Sequence, residues 1–241
     1  MHTTTTLVAL FSTISAINAH AHITTWNVGG TPAPGFEYWV FKNSKALNSS
    51  WYSENGDNGF VPSKMINSPD IICHKDGKPG AKHTAVKAGA KVTASWSQYD
   101  GSHKGPAITY IAPCKGDCST ASKTALQWTK IAEQGYQGNN VWVTDKMRAA
   151  GMKTEFTIPA TLKAGKYAIR HELIALHNAQ NGDAQFYPQC INIEVTGGGS
   201  AVPPEGVVGT KLYQSKEAGV NFNLYTKFTS YPIPGPKLWT V

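Results

Sequence analysis

Two long β-rich runs joined by a short turn segment constrain the fold of this chain more than any other feature. The first run, KYAIRHELIALH, covers residues 166–177, and the second, AQFYPQCINIEV, covers residues 184–195. The residues between them, NAQNGD at 178–183, have the composition of a turn. The pair therefore predicts an antiparallel hairpin. Further β-rich runs, bounded by Gly, Pro, Asn and Ser, predict a mainly β protein with strands at 22–28, 91–97, 106–112, 127–132 and 154–158.

The period of a β-strand predicts which side chains meet at one end of this hairpin. Side chains alternate between the two faces, so Gln185 and Tyr187 share one face while Phe186 and Cys190 share the other. Pairing across the hairpin brings His177 close to Gln185 and Tyr187, and it points Phe186 into the core. The alternative interpretation of this His, Gln and Tyr is a buried polar cluster that satisfies only its own hydrogen bonds.

Little of the remaining sequence is helical. One short helix is expected at 144–150, with Thr144 as its N-cap and Gly151 as its C-cap. Residues 30–66 form a long irregular stretch rich in Gly, Pro, Asn and aromatic residues, and a loop of this length in a compact domain is usually functional. The tail from residue 197 is expected to wrap the domain as coil, with one strand around 220–225.

The first residues are typical of a secretory signal peptide. An apolar stretch at 7–11 is followed by a small-residue tail that ends at Ala19, and the whole segment is too short to span a bilayer. Cleavage after Ala19 would leave His20 with a free α-amine beside its imidazole. A rival site, Ala-His-Ala at 19–21, would expose His22 instead. Removal of residues 1–19 leaves 20–241, which suits one all-β domain, and no later segment has the apolar run of a membrane helix.

Charge and cysteine content agree with a secreted protein. The net charge of +7 comes from Lys and Arg scattered singly along the chain, so we expect a soluble surface and no nucleic acid partner. Four cysteines allow three disulfide pairings. We favour a local bridge between Cys114 and Cys118 and a long one between Cys73 and Cys190, whereas zinc binding is disfavoured because no paired CxxC motif is present. The sequence Asn48-Ser-Ser is a glycosylation sequon.

A further chemically suggestive segment lies at 101–106, GSHKGP, immediately before the predicted strand AITYIA. Its Gly and Pro residues frame His103 on a tight loop, which would hold the ring firmly and leave it accessible. As an isolated feature, a histidine of this kind is more often an ordinary surface residue.

Taken together, these motifs give the chain a strong resemblance to fungal lytic polysaccharide monooxygenases of auxiliary activity family nine. Such proteins begin with histidine after signal cleavage and reach a V-N-G or V-G-G turn about ten residues later. VGG at 28–30 fits that spacing when counted from His20 and does not fit it from His22. The resemblance continues through the following blocks: SPDIIC at 68–73, KAGAKVT at 87–93, SHKGPAITYIAP at 102–113, KYAIRHELIALHNA at 166–179, AQFY at 184–187, Cys190 and YPIPGPKLW at 231–239.

The resemblance implies a copper site with one copper per chain. Its ligands would be the amine and ring of His20, the ring of His103 and, at longer range, the phenol of Tyr187. His177 and Gln185 would lie beside the metal and take part in catalysis with Tyr187. Three nitrogens and a weak axial oxygen also suit tetragonal Cu(II) on chemical grounds.

The resemblance also implies an immunoglobulin- or fibronectin-like β-sandwich and an activity. The activity is oxidative cleavage of β-1,4-glucan, such as cellulose or hemicellulose, by C1 or C4 hydroxylation with an external electron donor and O2 or H2O2. Sugar would bind on a flat face, for which Tyr213 best matches a family surface tyrosine. The loop aromatics Tyr38, Trp39, Trp51 and Tyr52 are further candidates.

The chain is accordingly expected to be a secreted extracellular monomer, and three other functions remain as alternatives. A non-catalytic carbohydrate-binding module would share the sandwich and the aromatic residues. A copper-binding protein without oxygenase activity could keep the histidines. A glycoside hydrolase needs two carboxylates beside the scissile bond, and the sequence offers no convincing pair around Glu172.

Overall fold

The structure, a computed structural model, describes residues 21–43 and 48–241 of the 241-residue chain. The described part consists mainly of strands with three short α-helices. The strands are β1 (Ile23–Val28), β2 (Thr31–Pro34), β3 (Val61–Pro62), β4 (Thr84–Lys87), β5 (Lys91–Trp96), β6 (Ala107–Pro113), β7 (Gln127–Gln134), β8 (Lys153–Thr157), β9 (Gly165–Ala175), β10 (Gln185–Thr196) and β11 (Val207–Val208). The helices are α1 (Tyr38–Phe41), α2 (Asp70–Cys73) and α3 (Val143–Ala149).

These strands form two sheets that pack against each other. The smaller sheet has the order β2-β1-β5-β8, and the larger has the order β11-β7-β6-β9-β10-β3, with β4 pairing with β10 in parallel. Apolar side chains from both sheets interleave in one buried cluster, including Trp26 of β1, Phe156 of β8, Leu173 of β9 and Ile191 of β10. The predicted β-sandwich is therefore confirmed.

The outer face of the larger sheet is buried as well. A second apolar cluster combines Ile174 of β9 and Phe186 of β10 with Ile72 of α2 and with loop and tail residues such as Trp51. Loop and tail segments therefore cover this face, and their apolar side chains are buried against the sheet. Phe186 is fully buried here, as the alternation predicted.

Two disulfides tie the connections to the sheets. Cys73 at the end of α2 is bonded to Cys190 of β10, and Cys114 is bonded to Cys118 in the turn after β6. Both favoured pairings are therefore present, and the described residues contain no free cysteine.

The strand predictions agree closely with the structure, and the helix prediction needs a correction. Each of the seven predicted runs overlaps a strand, although β9 ends at Ala175, so His177 lies just beyond it. Residues 220–225 form no strand.

The predicted helix corresponds to α3. It begins at Val143 with Trp142 as its N-cap, so Thr144 is not the cap. The Thr144 hydroxyl instead accepts a hydrogen bond from the Gly105 amide, at 3.2 Å. Ala150 is the C-cap, and Gly151 follows with a φ of 69°.

His171 links the two sheets across the main core. Its Nδ1 lies 2.8 Å from the hydroxyl of Thr109 on β6, and its Nε2 lies 2.7 Å from the hydroxyl of Thr154 on β8. Burial, reinforced by the nearby positive charge of Arg170, lowers the pKa of His171 to about 3. The ring is therefore neutral in the folded protein near neutral pH.

In the described part of the chain, no helix is both long and apolar enough to cross a membrane.

Candidate functional site

A polar cluster lies at the turn end of the β9–β10 hairpin, next to the segment that connects the two strands. Gln185 is paired with Ala175, so His177 lies two residues beyond the end of β9 on the same side. The phenol of Tyr187 donates a hydrogen bond to Oε1 of Gln185 at 2.8 Å, and Nε2 of Gln185 lies 3.4 Å from Nε2 of His177. The predicted convergence of these three side chains is therefore present.

The loop carrying His103 lies directly against this end of β9. The amide of Leu176 donates to the Lys104 carbonyl at 2.9 Å, and the amide of Ile174 donates to the Pro106 carbonyl at 3.1 Å. A Cβ at Gly105 would lie 1.8 Å from the carbonyl oxygen of Ile174, so only glycine permits this approach.

The approach brings two histidine rings together. The ring centroids of His103 and His177 are 4.2 Å apart, with an angle of 41° between the ring planes. His103 is almost fully buried, so the expectation of an accessible His103 ring is wrong, whereas His177 is half-buried. One ring is therefore held inside the protein and the other lies at its boundary with solvent.

Hydrogen bonds within the loop favour one tautomer of His103. Asp100 accepts from the amide and the hydroxyl of Ser102, at 2.7 and 2.6 Å, and these bonds lower the pKa of its carboxyl group. Because the Ser102 hydroxyl donates to Asp100, its oxygen can accept from Nδ1 of His103, which is 3.3 Å away. A proton on Nδ1 leaves the lone pair on Nε2, which is the nitrogen suited to bind a metal.

Tyr187 lies in a predominantly aromatic environment. Its ring packs against Tyr99 at 5.5 Å and Phe60 at 6.2 Å, and Tyr99 in turn contacts His103 at 5.3 Å. Burial raises the pKa of the Tyr187 phenol well above its usual value, so the group stays protonated. A neutral phenol that donates a hydrogen bond to Gln185 can offer its oxygen to a metal only as a weak ligand.

The start of the described chain leads into the same region of the core. Ala21 is fully buried in the cluster that also contains Tyr99 and Tyr187. The amide of His22 donates to the hydroxyl of Ser97 at 3.0 Å, and its carbonyl accepts from the Ser97 amide at 2.8 Å. The predicted ligand His20 and the predicted signal peptide lie outside the described residues. Residues 21–43 and 48–241 alone contain no group of three His, Cys, Asp or Glu side chains that could hold a metal ion.

Comparison with known proteins gives the family. The sequence profile of Auxiliary Activity family 9, formerly GH61, matches residues 20–231. The chain belongs to this family. It is therefore an oxidoreductase of the monooxygenase class.

Individual family members are similar over most of their length. The AA9 family lytic polysaccharide monooxygenase A of Thermoascus aurantiacus is 48% identical over 79% of this chain and 86% of its own. The AA9 family lytic polysaccharide monooxygenase F of Malbranchea cinnamomea is 44% identical over 96% of each chain. The structure of Cel61B from Hypocrea jecorina, a glycoside hydrolase family 61 member, superimposes with a TM-score of 0.87 at 38% identity, covering 91% of this chain and all of that one.

One expected sugar-binding residue of this AA9 protein lies inside it. Tyr213 is 1% exposed, and its hydroxyl contacts Tyr110 and donates to the carboxylate of Glu172. It cannot stack on a sugar, so the expectation of a surface role for Tyr213 is wrong. Trp51 is also buried, and its indole donates to Asn192 at 2.7 Å. In both cases the long connections turn aromatic residues inward against the outer face of the larger sheet.

A different tyrosine, which no sequence pattern indicated, lies exposed beside His177. Tyr225 is 71% exposed, and its hydroxyl donates to the backbone carbonyl of His177 at 3.0 Å. Tyr225 and Tyr213 lie in the same irregular tail. Because this tail has no helical or strand period, its sequence does not show which of the two rings is exposed. Of the loop aromatics, Trp39 is 68% exposed, while Tyr38 and Tyr52 are half-buried.

Proposed function

We propose that this AA9 protein is a secreted, copper-dependent enzyme that cleaves β-1,4-glucan chains by hydroxylation at C1 or C4. It would use an external electron donor and O2 or H2O2. The observation that carries the proposal is the packing of His103 against His177, with Gln185 linking His177 to Tyr187. A protein that only binds carbohydrate has no need for such an arrangement.

The donor groups of the site suit copper. His103 would contribute Nε2, Tyr187 a neutral phenol oxygen, and His20 its α-amine and ring. Imidazole and amine nitrogens are ligands that would suit Cu(II), and the phenol oxygen would be a weaker additional ligand. When bound, the copper would supply the one-electron chemistry that activates the oxygen co-substrate.

Processing after Ala19 would complete the site. Ala21 is fully buried and the backbone of His22 is bonded to Ser97 on both sides, so cleavage before His22 would remove a core residue. Cleavage after Ala19 keeps Ala21, and the family match also begins at residue 20. In the uncleaved chain the His20 nitrogen is an amide, which is a poor ligand.

His177 and Gln185 would handle protons beside the metal. Oε1 of Gln185 accepts a hydrogen bond from the Tyr187 hydroxyl, so the NH2 group of Gln185 is left to donate toward Nε2 of His177. This arrangement favours an Nδ1-protonated His177. The His177 ring, which packs against His103, would serve as the proton donor or acceptor beside the metal.

The exposed surface beside His177 would bind the polysaccharide. A crystalline glucan chain cannot enter a deep cleft, and the exposed ring of Tyr225 offers a stacking surface next to the site. A hydrolytic mechanism is disfavoured because Glu172 is fully buried and ion-paired with Arg170, so it cannot reach a glycosidic bond.

The remaining predictions follow from secretion. Both disulfides suit an oxidising compartment, and a glycan on Asn48 would be added there. We infer that the mature chain, 20–241, acts as a single-domain monomer.

Mass spectrometry of the products released from cellulose, with copper and ascorbate, tests the proposed activity. Aldonic acids would report attack at C1, and ketoaldoses would report attack at C4. Copper binding without any oxidised product would instead favour a non-catalytic copper- or carbohydrate-binding protein.

A further inference from the structure

The exposed Tyr225 makes a contact that a simple sugar-stacking surface does not need. Its ring is 71% exposed, yet its hydroxyl turns back to donate to the His177 carbonyl at 3.0 Å. The tail around it is held locally, because the Tyr225 amide donates to the Asn223 side chain at 2.9 Å and the Thr226 hydroxyl donates to the Asn223 carbonyl at 3.1 Å. The phenol therefore approaches His177 from an ordered turn.

His177 lies outside the sheet. β9 ends at Ala175, and residue 177 lies in a turn in which the Ala179 amide donates to the Leu176 carbonyl at 3.0 Å, so contacts with neighbouring segments add to this local hydrogen bond. On the N-terminal side, the Leu176 amide is bonded to Lys104, and on the C-terminal side, the His177 carbonyl accepts from Tyr225. Hydrogen bonds on both sides of a residue restrict its φ and ψ, and these angles set the direction of its side chain.

We propose that Tyr225 is a positioning residue for His177, acting through its hydroxyl group rather than through its ring alone. A sugar stacked on the ring would restrict the phenol and, through it, the His177 backbone. Occupancy of the sugar surface would thereby be coupled to the placement of the half-buried imidazole. This coupling rests on the proposed function, whereas the restraint on the backbone does not.

Two substitutions distinguish the contribution of the Tyr225 hydroxyl from that of its ring. Tyr225→Phe keeps the stacking surface and removes the hydrogen bond, while Tyr225→Ala removes both. Tyr167→Phe is a matched control, since the Tyr167 hydroxyl also donates to a backbone carbonyl, that of Lys163 at 2.8 Å, but near the opposite end of β9.

Three measurements on the copper-loaded mature protein test the proposal. Hydrogen–deuterium exchange reports the backbone at 176–179, pull-down on microcrystalline cellulose reports binding, and the initial rate of oxidised product release at saturating cellulose reports turnover. In Tyr225→Phe we expect faster exchange at 176–179 and a turnover roughly three- to tenfold lower, as for loss of one hydrogen bond. Cellulose binding should stay within about twofold of wild type, since the apolar stacking area is kept. Tyr225→Ala should show the same exchange and also bind cellulose more weakly.

Distinct outcomes overturn distinct claims. Wild-type exchange at 176–179 in Tyr225→Phe would refute the restraint, whatever the activity. Faster exchange with unchanged turnover would refute the coupling to catalysis. An equal change in Tyr167→Phe would mean that the effect is general loosening of the fold, which also refutes the proposal. If the wild type released no oxidised product, the proposed function would fail, but the exchange data would still decide whether Tyr225 restrains His177.

Discussion

The ring centroids of His103 and His177 lie 4.2 Å apart because Gly105 has no side chain. The loop that carries His103 passes so close to β9 that a Cβ at residue 105 would overlap the Ile174 carbonyl. This contact therefore sets the position of His103 relative to His177.

The loop that carries His103 should tolerate alanine at Gly101 but not at Gly105. In Gly105→Ala the new Cβ would lie 1.8 Å from the Ile174 oxygen, so the loop must move and carry His103 away from His177. We expect a loss of stability of about 2 kcal/mol or more and weaker copper binding. In Gly101→Ala the nearest atom belongs to the Arg148 guanidinium at 3.9 Å, an ordinary contact, so both properties should stay close to wild type. Thermal unfolding and copper titration of both variants check this, and a Gly105→Ala protein with normal copper affinity would contradict it.

Gln185 should matter for turnover more than for metal binding. Gln185→Ala removes the amide group that accepts a hydrogen bond from Tyr187 and faces His177, but it removes no proposed copper ligand. We expect near-normal copper affinity and a product release rate reduced at least about tenfold. Gln189→Ala is the control, because Gln189 is buried on the same strand four residues further along, beyond Tyr187. Loss of copper from Gln185→Ala, or equal losses of rate in both variants, would argue against this role.

The two disulfides should differ in their contribution to stability. The Cys73–Cys190 bridge has a sequence separation of 117 residues, and the Cys114–Cys118 bridge has a separation of 4. A longer loop restricts the unfolded chain more, so replacing both Cys73 and Cys190 by Ala should lower the free energy of unfolding by roughly 2–5 kcal/mol. The matching Cys114 and Cys118 double variant should lose less. Denaturant unfolding of both proteins measures the difference, and an equal or reversed order would be inconsistent with the chain-entropy explanation.

Acid should destabilise the folded protein through His171. The pKa of His171 is lowered to about 3 in the folded state, whereas an unfolded histidine titrates near its ordinary value of 6.5. Between these values the unfolded chain binds a proton that the folded chain does not, so stability falls as the pH decreases. The expected slope is about 1.4 kcal/mol per pH unit at its steepest. The buried His74, with a pKa lowered by burial to about 4, should add a second contribution over a narrower range.

Removal of His171 should make the acid response shallower. The slope of unfolding free energy against pH from 6 to 4, measured by urea unfolding of wild type and His171→Gln, isolates its share. The slope is the decisive quantity, since the substitution also changes the absolute stability. Identical slopes would show that His171 does not contribute.

The sequence predicted the hairpin and its polar end because both depend on local rules. Side-chain alternation along residues 166–177 and 184–195 was sufficient to bring His177, Gln185 and Tyr187 together. The same rule cannot place residues on long connections. Tyr213 and Tyr225 stand in one irregular tail, yet one is buried under the larger sheet and the other is exposed beside His177. Their positions depend on tertiary packing between distant segments.

The start of α3 shows a second limit of local reasoning. Thr144 has a typical N-cap side chain, but its hydroxyl bonds to Gly105 in the loop that carries His103. A tertiary hydrogen bond to a distant backbone amide therefore replaces the local capping bond, and the helix begins one residue earlier. No pattern within residues 140–151 indicates this partner.

In the proposed function, a mature N-terminal His20 completes an oxidative site with His103, His177, Gln185 and Tyr187. The most direct test is the yield of oxidised oligosaccharides from cellulose, measured for two proteins that differ only in whether Ala19 precedes His20. The chain that begins at His20 should release oxidised products in the presence of copper and reductant, and the chain that retains Ala19 should release almost none. Equal yields from both proteins, or full activity from a chain that begins at His22, would refute the proposed role of the His20 α-amine.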